Sequence, residues 1–551
     1  TLPSLSLFRK RLVSCLVSFS TGLSDTQFAA FAQALCTNLD NAAEASTSST
    51  TFETLSALVQ IISPVASASN GARLSFYMKS LLPVLTKICG EPSSARMDDQ
   101  GEEDFDEGED NDKAALDELR SLVFQACEVL IAKSTLATFR PLADQVIKFA
   151  TKFAAYDPDY FGDDQDDSDG DDDESTGGEM KDSESNGDEM AGDGSECFSD
   201  EDFSGSDFGD DFASTSWKVR RDVLRCLVAV SATATCSVEF FGSVLTLVFP
   251  LVTKRIQDHD ENVRAEALSA AAAIFRSTGS VINAVYEKKV FALTTHLESL
   301  VTISLTHSAL IARKVAKLLR NDQSIRIRSG CVQVAATLVR LDDTLARCKM
   351  SCEQNKDQHQ NLVTALSGIL TVVNTALASG ESGAAQSSAA GSTDMTTASF
   401  RIDSLAFIRA CFSMTLVSIV SFEQAISVAS TIARCVTDSY LRSAAEALRV
   451  IPPLVTVISR LCSTNPKESA VPCVEALARA VIQELGVQTI DQEVKDAATH
   501  ALASILSETG DLVSPSTRND GCLPVLLTVL RTPTSRSSGI KAILTLTAPT
   551  N

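Results

Sequence analysis

Hydrophobic residues recur along this chain three and four positions apart, the spacing of amphipathic helices, and strict β-type alternation is scarce. One phrase returns between the helical runs: a turn with Asp or Ser, a branched residue or Leu, Arg or Lys, then an Ala- and Leu-rich stretch. It reads Asp117-Glu118-Leu119-Arg120, Lys218-Val219-Arg220, Asp260-Glu261-Asn262-Val263-Arg264, Asp322 to Ile325-Arg326, Asp438-Ser439-Tyr440-Leu441-Arg442 and Asp491-Gln492-Glu493-Val494-Lys495. The clearest spacings are 44 residues (Val219 to Val263) and 53 (Leu441 to Val494), which suit paired-helix repeats. Each part of the phrase has a physical reason. The turn Asp or Ser can accept hydrogen bonds from the first free N–H groups of the second helix. The branched residue closes the turn against the core, and the Arg or Lys beside it can reach an acid on the neighbouring repeat. Small residues such as Ala265, Ala267 and those at 270–273 let helices approach closely.

A second phrase, Pro followed by apolar residues, falls in what would be each first helix: Pro83, Pro141, Pro250, Pro453 and Pro524. Pro250 precedes Val263 by 13 residues, Pro83 precedes Leu119 by 36, and Pro141 precedes Val219 by 78. The two longer intervals each contain an acidic stretch, which places both insertions in the turn between the helices of one repeat, on one edge of the stack. The expected fold is therefore all-α: an α-solenoid of HEAT/armadillo-like helical repeats with long acidic disordered loops inserted in intra-repeat turns. The expected segments are N-terminal repeats over 1–156, with an acidic insertion near 91–113, then an acidic loop over 157–214. Central repeats follow over 215–378, a flexible Ser/Gly/Ala loop over 379–399, and further repeats over 400–551 that continue beyond the fragment. Residues 41–51 read as another flexible loop. The chain starts at Thr1, without Met, already in helix-like sequence, the pattern of a fragment.

Charge sharpens this picture. The 551 residues carry a formal charge of −24, but it is not evenly spread. Between Asp157 and Asp211 stand 24 Asp and Glu against one Lys, and between Asp98 and Asp112 stand 10 acids. Those two tracts exceed the whole negative charge and leave the remainder near +9. Such tracts cannot bury themselves and should be disordered. Nucleic acid is not an expected partner for a surface carrying them. Fifteen Cys are scattered singly, mostly in apolar helical runs, as reduced buried thiols in a cytoplasmic or nuclear protein would be. No Asn-x-Ser/Thr site occurs, and no run of eighteen apolar residues, so no membrane association is expected.

Signals for catalysis are poor. Gly-x-Gly-x-x-Gly, Walker A, His-Glu-x-x-His and Cys-x-x-Cys motifs are all missing. The five His residues (His259, His296, His307, His359, His500) fall in unrelated contexts. Cys348, Cys352 and His359 could share a helix face, yet a metal there would lack a fourth ligand. No enzymatic activity, cofactor, metal or small-molecule substrate is expected. Two features point instead to protein partners. Arg313, Lys314, Lys317, Arg320, Arg326 and Arg328 form a basic patch spanning a helix end and the next helix start, able to face an acidic partner or the acidic arm, although solvated helix faces would show the same pattern. Within the long tract, aromatic residues (Tyr160, Phe161, Phe198, Phe203, Phe208, Phe212) stand among the acids, and Ser168, Ser199 and Ser206 sit where an acid-directed kinase would act.

The flanks of that tract carry a resemblance. Tyr156-Asp157-Pro158-Asp159-Tyr160 before it and Ser216-Trp217-Lys218-Val219-Arg220-Arg221 after it closely resemble the cullin-associated, neddylation-dissociated proteins, HEAT-repeat regulators of cullin–RING ubiquitin ligases. Further matches run in the right order, among them Gln125-Ala126, Ile402-Asp403-Ser404-Leu405, Glu446-Ala447-Leu448 and Ile490-Asp491-Gln492-Glu493-Val494-Lys495. The resemblance covers nearly the whole chain, as an N-terminal-to-central part of that superhelix. It implies a non-enzymatic clamp that wraps a cullin and its RING subunit lacking their ubiquitin-like modification, and that acts as a substrate-receptor exchange factor in SCF-type ligase assembly. The family's C-terminal repeats, which cover the adaptor site, have no counterpart here. The Asp98–Asp112 tract and the 379–399 loop depart from the family pattern, and no contact residue carries over from a short motif. The alternative is an importin-β-like nuclear transport receptor, also a HEAT array with an acidic loop.

Overall fold

The computed structural model describes residues 3–44, 49–69, 71–91, 107–156, 215–288, 294–348, 355–379, 393–413, 419–438, 440–487 and 491–547. Every regular element among them is a helix. In chain order these are α1 (Pro3–Gly22), α2 (Asp25–Glu44), α3 (Ser49–Ala68), α4 (Gly71–Cys89), α5 (Glu107–Lys133), α6 (Leu136–Phe139), α7 (Ala143–Ala154), α8 (Ser216–Ala234), α9 (Val238–Arg255) and α10 (Glu261–Lys288). They continue as α11 (Thr294–Asn321), α12 (Ile325–Arg347), α13 (Lys356–Ser379), α14 (Thr393–Phe412), α15 (Phe422–Cys435), α16 (Leu441–Leu461), α17 (Val471–Gly486), α18 (Gln492–Thr509), α19 (Leu523–Arg531) and α20 (Arg536–Thr547).

The helices stack in two layers. Helices α2, α4, α7, α9, α11, α13, α15, α17 and α19 form layer A; α1, α3, α5, α8, α10, α12, α14, α16, α18 and α20 form layer B. Each A helix from α4 onward is followed by its B partner, and the pair packs as a hairpin. Consecutive B helices pack on one another along the whole chain, while A-layer contact thins at α4–α7, α7–α9, α13–α15 and α17–α19. One apolar core runs from Phe28 to Ala542. The chain is thus a continuous α-solenoid of HEAT/armadillo-like repeats, as its periodicity predicts.

Local chemistry explains the starts of the helices. Asp260 Oδ1 accepts from the N–H groups of Asn262 and Val263 at the start of α10. Ser324 caps α12 and Asp491 caps α18, and Ser421 with Gln424 forms a full capping box on α15. Small residues allow close layers: Ala267, Ala270, Ala271 and Ala272 of α10 are all buried. Gly330 of α12 suits the same closeness, since a Cβ there would stand 3.1 Å from Leu268 Cδ1 and push that side chain aside.

Several expectations change in detail. Asp117 does not start a helix; α5 begins ten residues earlier, at Glu107, so residues 107–112 of the acidic insertion are helical. Acids are favourable at a helix N-terminus, where the dipole is positive. The 379–399 loop ends at Thr393, where α14 begins, and the break near 41–51 shrinks to the interval between Glu44 and Ser49. At α12 the buried branched residue is Ile327, not Ile325, because Ser324 caps onto Ile327 N–H and sets the register two residues later. Leu441 is 49% exposed and closes nothing. Pro453 lies in α16, a B helix, while Pro83 and Pro250 lie in A helices.

The three main breaks occupy equivalent places. Residues 92–106 separate α4 from α5, residues 157–214 separate α7 from α8, and residues 380–392 separate α13 from α14, each time an A helix from its own B partner. Among the described residues one helix, α13, is long and apolar enough to cross a membrane. Its Leu362, Val363, Leu366, Ile369, Leu370 and Val373 are buried in the array.

Candidate partner-binding surface and the root of the acidic segment

The two ends of the 157–214 segment meet in a buried polar cluster. Tyr156, just past α7, is buried, and its hydroxyl donates to Asp117 Oδ1 at 3.0 Å. The Arg120 guanidinium lies 5.0 Å from the centre of that ring. It also donates to Asp117 Oδ1 at 3.1 Å and to the carbonyls of Cys89 and Glu91 at 3.3 and 3.2 Å. On the returning side, Thr215 donates to Asp117 Oδ2 at 3.4 Å. Burial pushes the Asp117 carboxyl above its ordinary value, against the opposing pull of the Tyr156 hydroxyl and the Arg120 charge.

Arg220 continues the cluster. Its side chain and that of Asp258 are 0% exposed, with Nε 3.1 Å from Asp258 Oδ2. Nη2 donates to Asp258 Oδ1 at 3.2 Å, and Nη1 donates to Ser216 Oγ at 3.0 Å and to the Tyr156 carbonyl at 3.4 Å. Asp258 also accepts from Arg255 Nη1 at 2.7 Å, and Arg255 Nε donates to the Ala154 carbonyl at 2.6 Å. Beside them Asp222, buried, accepts from Ser121 at 2.5 Å and Gln125 at 2.9 Å. The Tyr156 and Ser216–Arg221 flanks therefore clamp three repeats around the point where the segment leaves and returns.

The same device recurs. Arg264 of α10 reaches Asp322 at 3.3 Å, and Arg401 of α14 reaches Asp438 at 3.0 Å. With Arg220–Asp258, these are B-helix arginines paired with the turn acid of the next repeat, the reach anticipated from the phrase. A second ladder joins neighbouring B helices: Arg225 with Glu266 at 2.9 Å, Arg409 with Glu446 at 3.0 Å, and Arg449 with Glu493. Sequence reasoning passed over Asp258 and Arg255. Their signal was an Arg-x-x-Asp ahead of the Asp260 cap.

The structure divides the six residues of the basic patch. Arg313, Lys317 and Arg320 are exposed on α11. Lys314, on the same helix, donates to Gln257 Oε1. Arg326 donates to Asn262 Oδ1 at 2.9 Å, and Arg328 stacks 4.8 Å from the centre of the Phe400 ring, so both serve contacts between repeats. Ser168, Ser199, Ser206 and the aromatic residues of the tract lie outside the described residues.

The histidines stay apart. His359 pairs with Asp342 at 2.7 Å, a hydrogen bond that raises its pKa. His307 is stacked on Phe249 with centroids 5.0 Å apart, and burial lowers its pKa. Cys352 lies outside the described residues, so its expected face with Cys348 and His359 is not seen. Among the described residues no group of three or more His, Cys, Asp or Glu is arranged to hold a metal. Burial raises the Cys127 and Cys331 thiols to about 12, as befits packed rather than reactive cysteines.

Residues 353–502 match the family model described as CAND1-like, TPR repeats. The chain is 27% identical over 542 residues to cullin-associated NEDD8-dissociated protein 1 of Dictyostelium discoideum, covering 97% of this chain and 36% of that protein. It is 24% identical over 543 residues to the protein of the same name from Arabidopsis thaliana, with the same two coverages of 97% and 36%. The chain therefore spans about a third of the length of the curated relatives it matches. Among solved structures, importin β in an ammonium sulfate condition covers 92% of this chain, and this chain 44% of it, at 11% identity and a TM-score of 0.44. Kap121p bound to RanGTP gives coverages of 93% and 41%, at 12% identity and a TM-score of 0.40.

Proposed function

We propose that this chain, a member of the cullin-associated NEDD8-dissociated family, is a non-enzymatic segment that lies along a cullin–RING complex lacking its ubiquitin-like modification. In that role it supplies hold on the scaffold for a regulator that exchanges substrate receptors in SCF-type assemblies. The observation that carries the proposal is a collinear match to the Dictyostelium relative over 97% of the chain. The architecture supports it. Ten B helices stacked about 9 Å apart give a layer roughly 80 Å long, suited to an elongated protein partner rather than to a small molecule. Partner contact is spread over many repeats, and the protein works in cytoplasm and nucleus, where cullin scaffolds are assembled.

A pull-down tests the proposal. Cullin–RING complexes with and without the ubiquitin-like modification are immobilised and probed with this protein. Recovery confined to the unmodified complex is the expected result; equal recovery from both, or none from either, defeats it. Exchange is tested separately, by measuring whether added protein speeds release of a labelled adaptor–receptor module from the unmodified scaffold.

A further inference from the structure

Helix α10 outruns its neighbour in layer B. It has 28 residues against 19 in α8. The Arg225–Glu266 pair at 2.9 Å sets their register. Helix α8, ending at Ala234, therefore stops level with about Phe275, and the rest of α10 runs on without it for roughly 20 Å. Helix α5 does not run past α8 to fill the gap, since the two end together: Thr233 Oγ1 donates to the Ile131 carbonyl at 3.1 Å. What remains is a cavity of about 740 Å³. One stripe of α10 forms its long wall, with Ala273, Ser277, Ser280 and Ala284 along the middle. Val281 and Val285 flank that line on one side and Arg276 on the other, and Lys288 stands at its end. The turn between α8 and α9 closes the slot with Cys236 and Val238.

No carboxylate lines this slot. Arg276 and Lys288 are exposed, and Arg276 Nε only turns back on the Ala272 carbonyl at 3.2 Å. Glu239 and Glu287 lie outside the lining, the latter accepting from Asn283 Nδ2 at 2.8 Å. The helix dipole accounts for Lys288, in the last turn of α10. It gives no reason for Arg276, more than three turns earlier. The slot occupies the place that α8 would fill were it as long as α10, and helices packed in this way lie about 9 Å apart. Small residues spaced along one face let a second helix approach closely. We infer that the slot receives a short helix of a partner protein, small and apolar on the face laid against α10 and acidic along its rim. Carboxylates about three turns apart on that helix would meet Arg276 and Lys288. Exposed ion pairs are weak and screened by salt, so apolar contact supplies the hold and the two cations select the partner. Nothing in this inference requires that the partner be a cullin.

A fluorescein-labelled peptide of about 16 residues, roughly 24 Å long as a helix, tests this. It is built of Glu, Leu and Ala so that Leu and Ala share one face, and is titrated against the full chain by anisotropy at low salt. A peptide of the same composition in scrambled order separates recognition of a helical face from attraction by charge alone. Two variants change only exposed positions. Arg276→Glu with Lys288→Glu reverses the charge, and Ala284→Trp fills the slot; circular dichroism melts confirm that both fold. The patterned peptide is expected to bind at least about tenfold more tightly than the scrambled one, and each variant to lose at least about tenfold. Cys236 reports position independently. With the patterned peptide saturating, its alkylation should slow at least about fivefold, while that of exposed Cys15, on α1, is unchanged. No binding, equal binding of the scrambled peptide, or an unaltered Cys236 rate would overturn the assignment. Affinity that survives Ala284→Trp or the charge reversal would overturn it as well. Failure here leaves the pull-down with cullin–RING complexes untouched, and failure there leaves this result standing.

Discussion

Replacing Asp258 by Asn keeps the size of the side chain and removes its charge. Asp258 holds Arg220 through two contacts, at 3.1 and 3.2 Å, and Arg255 through one at 2.7 Å. It also accepts from the Asp260 backbone N–H at 3.0 Å. Arg220 and Asp258 are 0% exposed and the Arg255 side chain only 7%, so water cannot replace the lost partner. Leaving a buried charge uncompensated costs about 3–5 kcal/mol. A solenoid opens locally, so the cost falls on α7 to α10 before the remaining repeats. Amide exchange through local opening of those helices should rise by roughly two to three and a half orders of magnitude, since each ~1.4 kcal/mol is tenfold. Hydrogen exchange read by mass spectrometry measures it directly. Arg220→Met alone should be costly too, while Arg220→Met and Arg255→Met with Asp258→Leu should recover much of the loss, because a buried charged triad replaced by apolar groups is often neutral. A rise below tenfold for Asp258→Asn, or additive losses in the triple variant, would refute the view that this cluster clamps the repeats.

Tyr156→Phe removes the hydroxyl bonded to Asp117 and should cost about 1–2 kcal/mol, read as a lower midpoint of urea unfolding. Asp117, whose folded pKa is raised, binds its proton more readily in the folded state. Its contribution is present below the ordinary carboxylate pKa and lost as pH rises through the folded value. Asp117→Asn should accordingly flatten the pH dependence of stability in acid. The two perturbed histidines oppose each other. His359, raised by Asp342, adds stability present below pH 6.5 and lost as pH climbs through its folded pKa, whereas His307, lowered by burial, adds stability present above pH 6.5 and lost as pH falls through its own. His359→Gln should therefore weaken the protein selectively near pH 5.5, and His307→Gln should reduce its acid sensitivity, both measured by unfolding midpoints at pH 5.5 and 8. Among the described thiols, exposed Cys15 and Cys236 should react quickly with a disulfide reagent in the native state. Buried Cys89, Cys127, Cys226 and Cys331 should react only on unfolding.

The architecture was legible because helix pairing leaves a periodic trace in the sequence. Apolar spacing and the capping residues at Asp260 and Asp491 together predicted the solenoid. Register was harder. Asp322 and Ser324 both suit a cap, and only geometry shows that Ser324 wins and carries Ile327 into the core. The buried cluster escaped a linear reading because its members, Asp117, Tyr156, Arg220, Arg255 and Asp258, are charged or polar residues of ordinary surface composition. Their burial arises only when three repeats close on one point. The basic patch failed as a unit for a related reason. Sequence neighbours such as Arg320 and Arg326 sit on helices from different layers, whereas Lys152 and Lys254, 102 positions apart, end on adjacent ones.

The clamp at the root of the long acidic segment separates continuity of the chain from continuity of the fold. Helices α5 and α8 pack directly across the break, and Arg220 and Arg255 grip the carbonyls of Tyr156 and Ala154 from the far side. A protease that cuts between Asp157 and Asp211 would produce two polypeptides yet one particle, joined by the same buried contacts that held the intact chain. The two halves, expressed apart, should find each other and rebuild the array. The acidic segment is thus a place where the protein can be nicked, tagged or lengthened while the superhelix keeps its pitch.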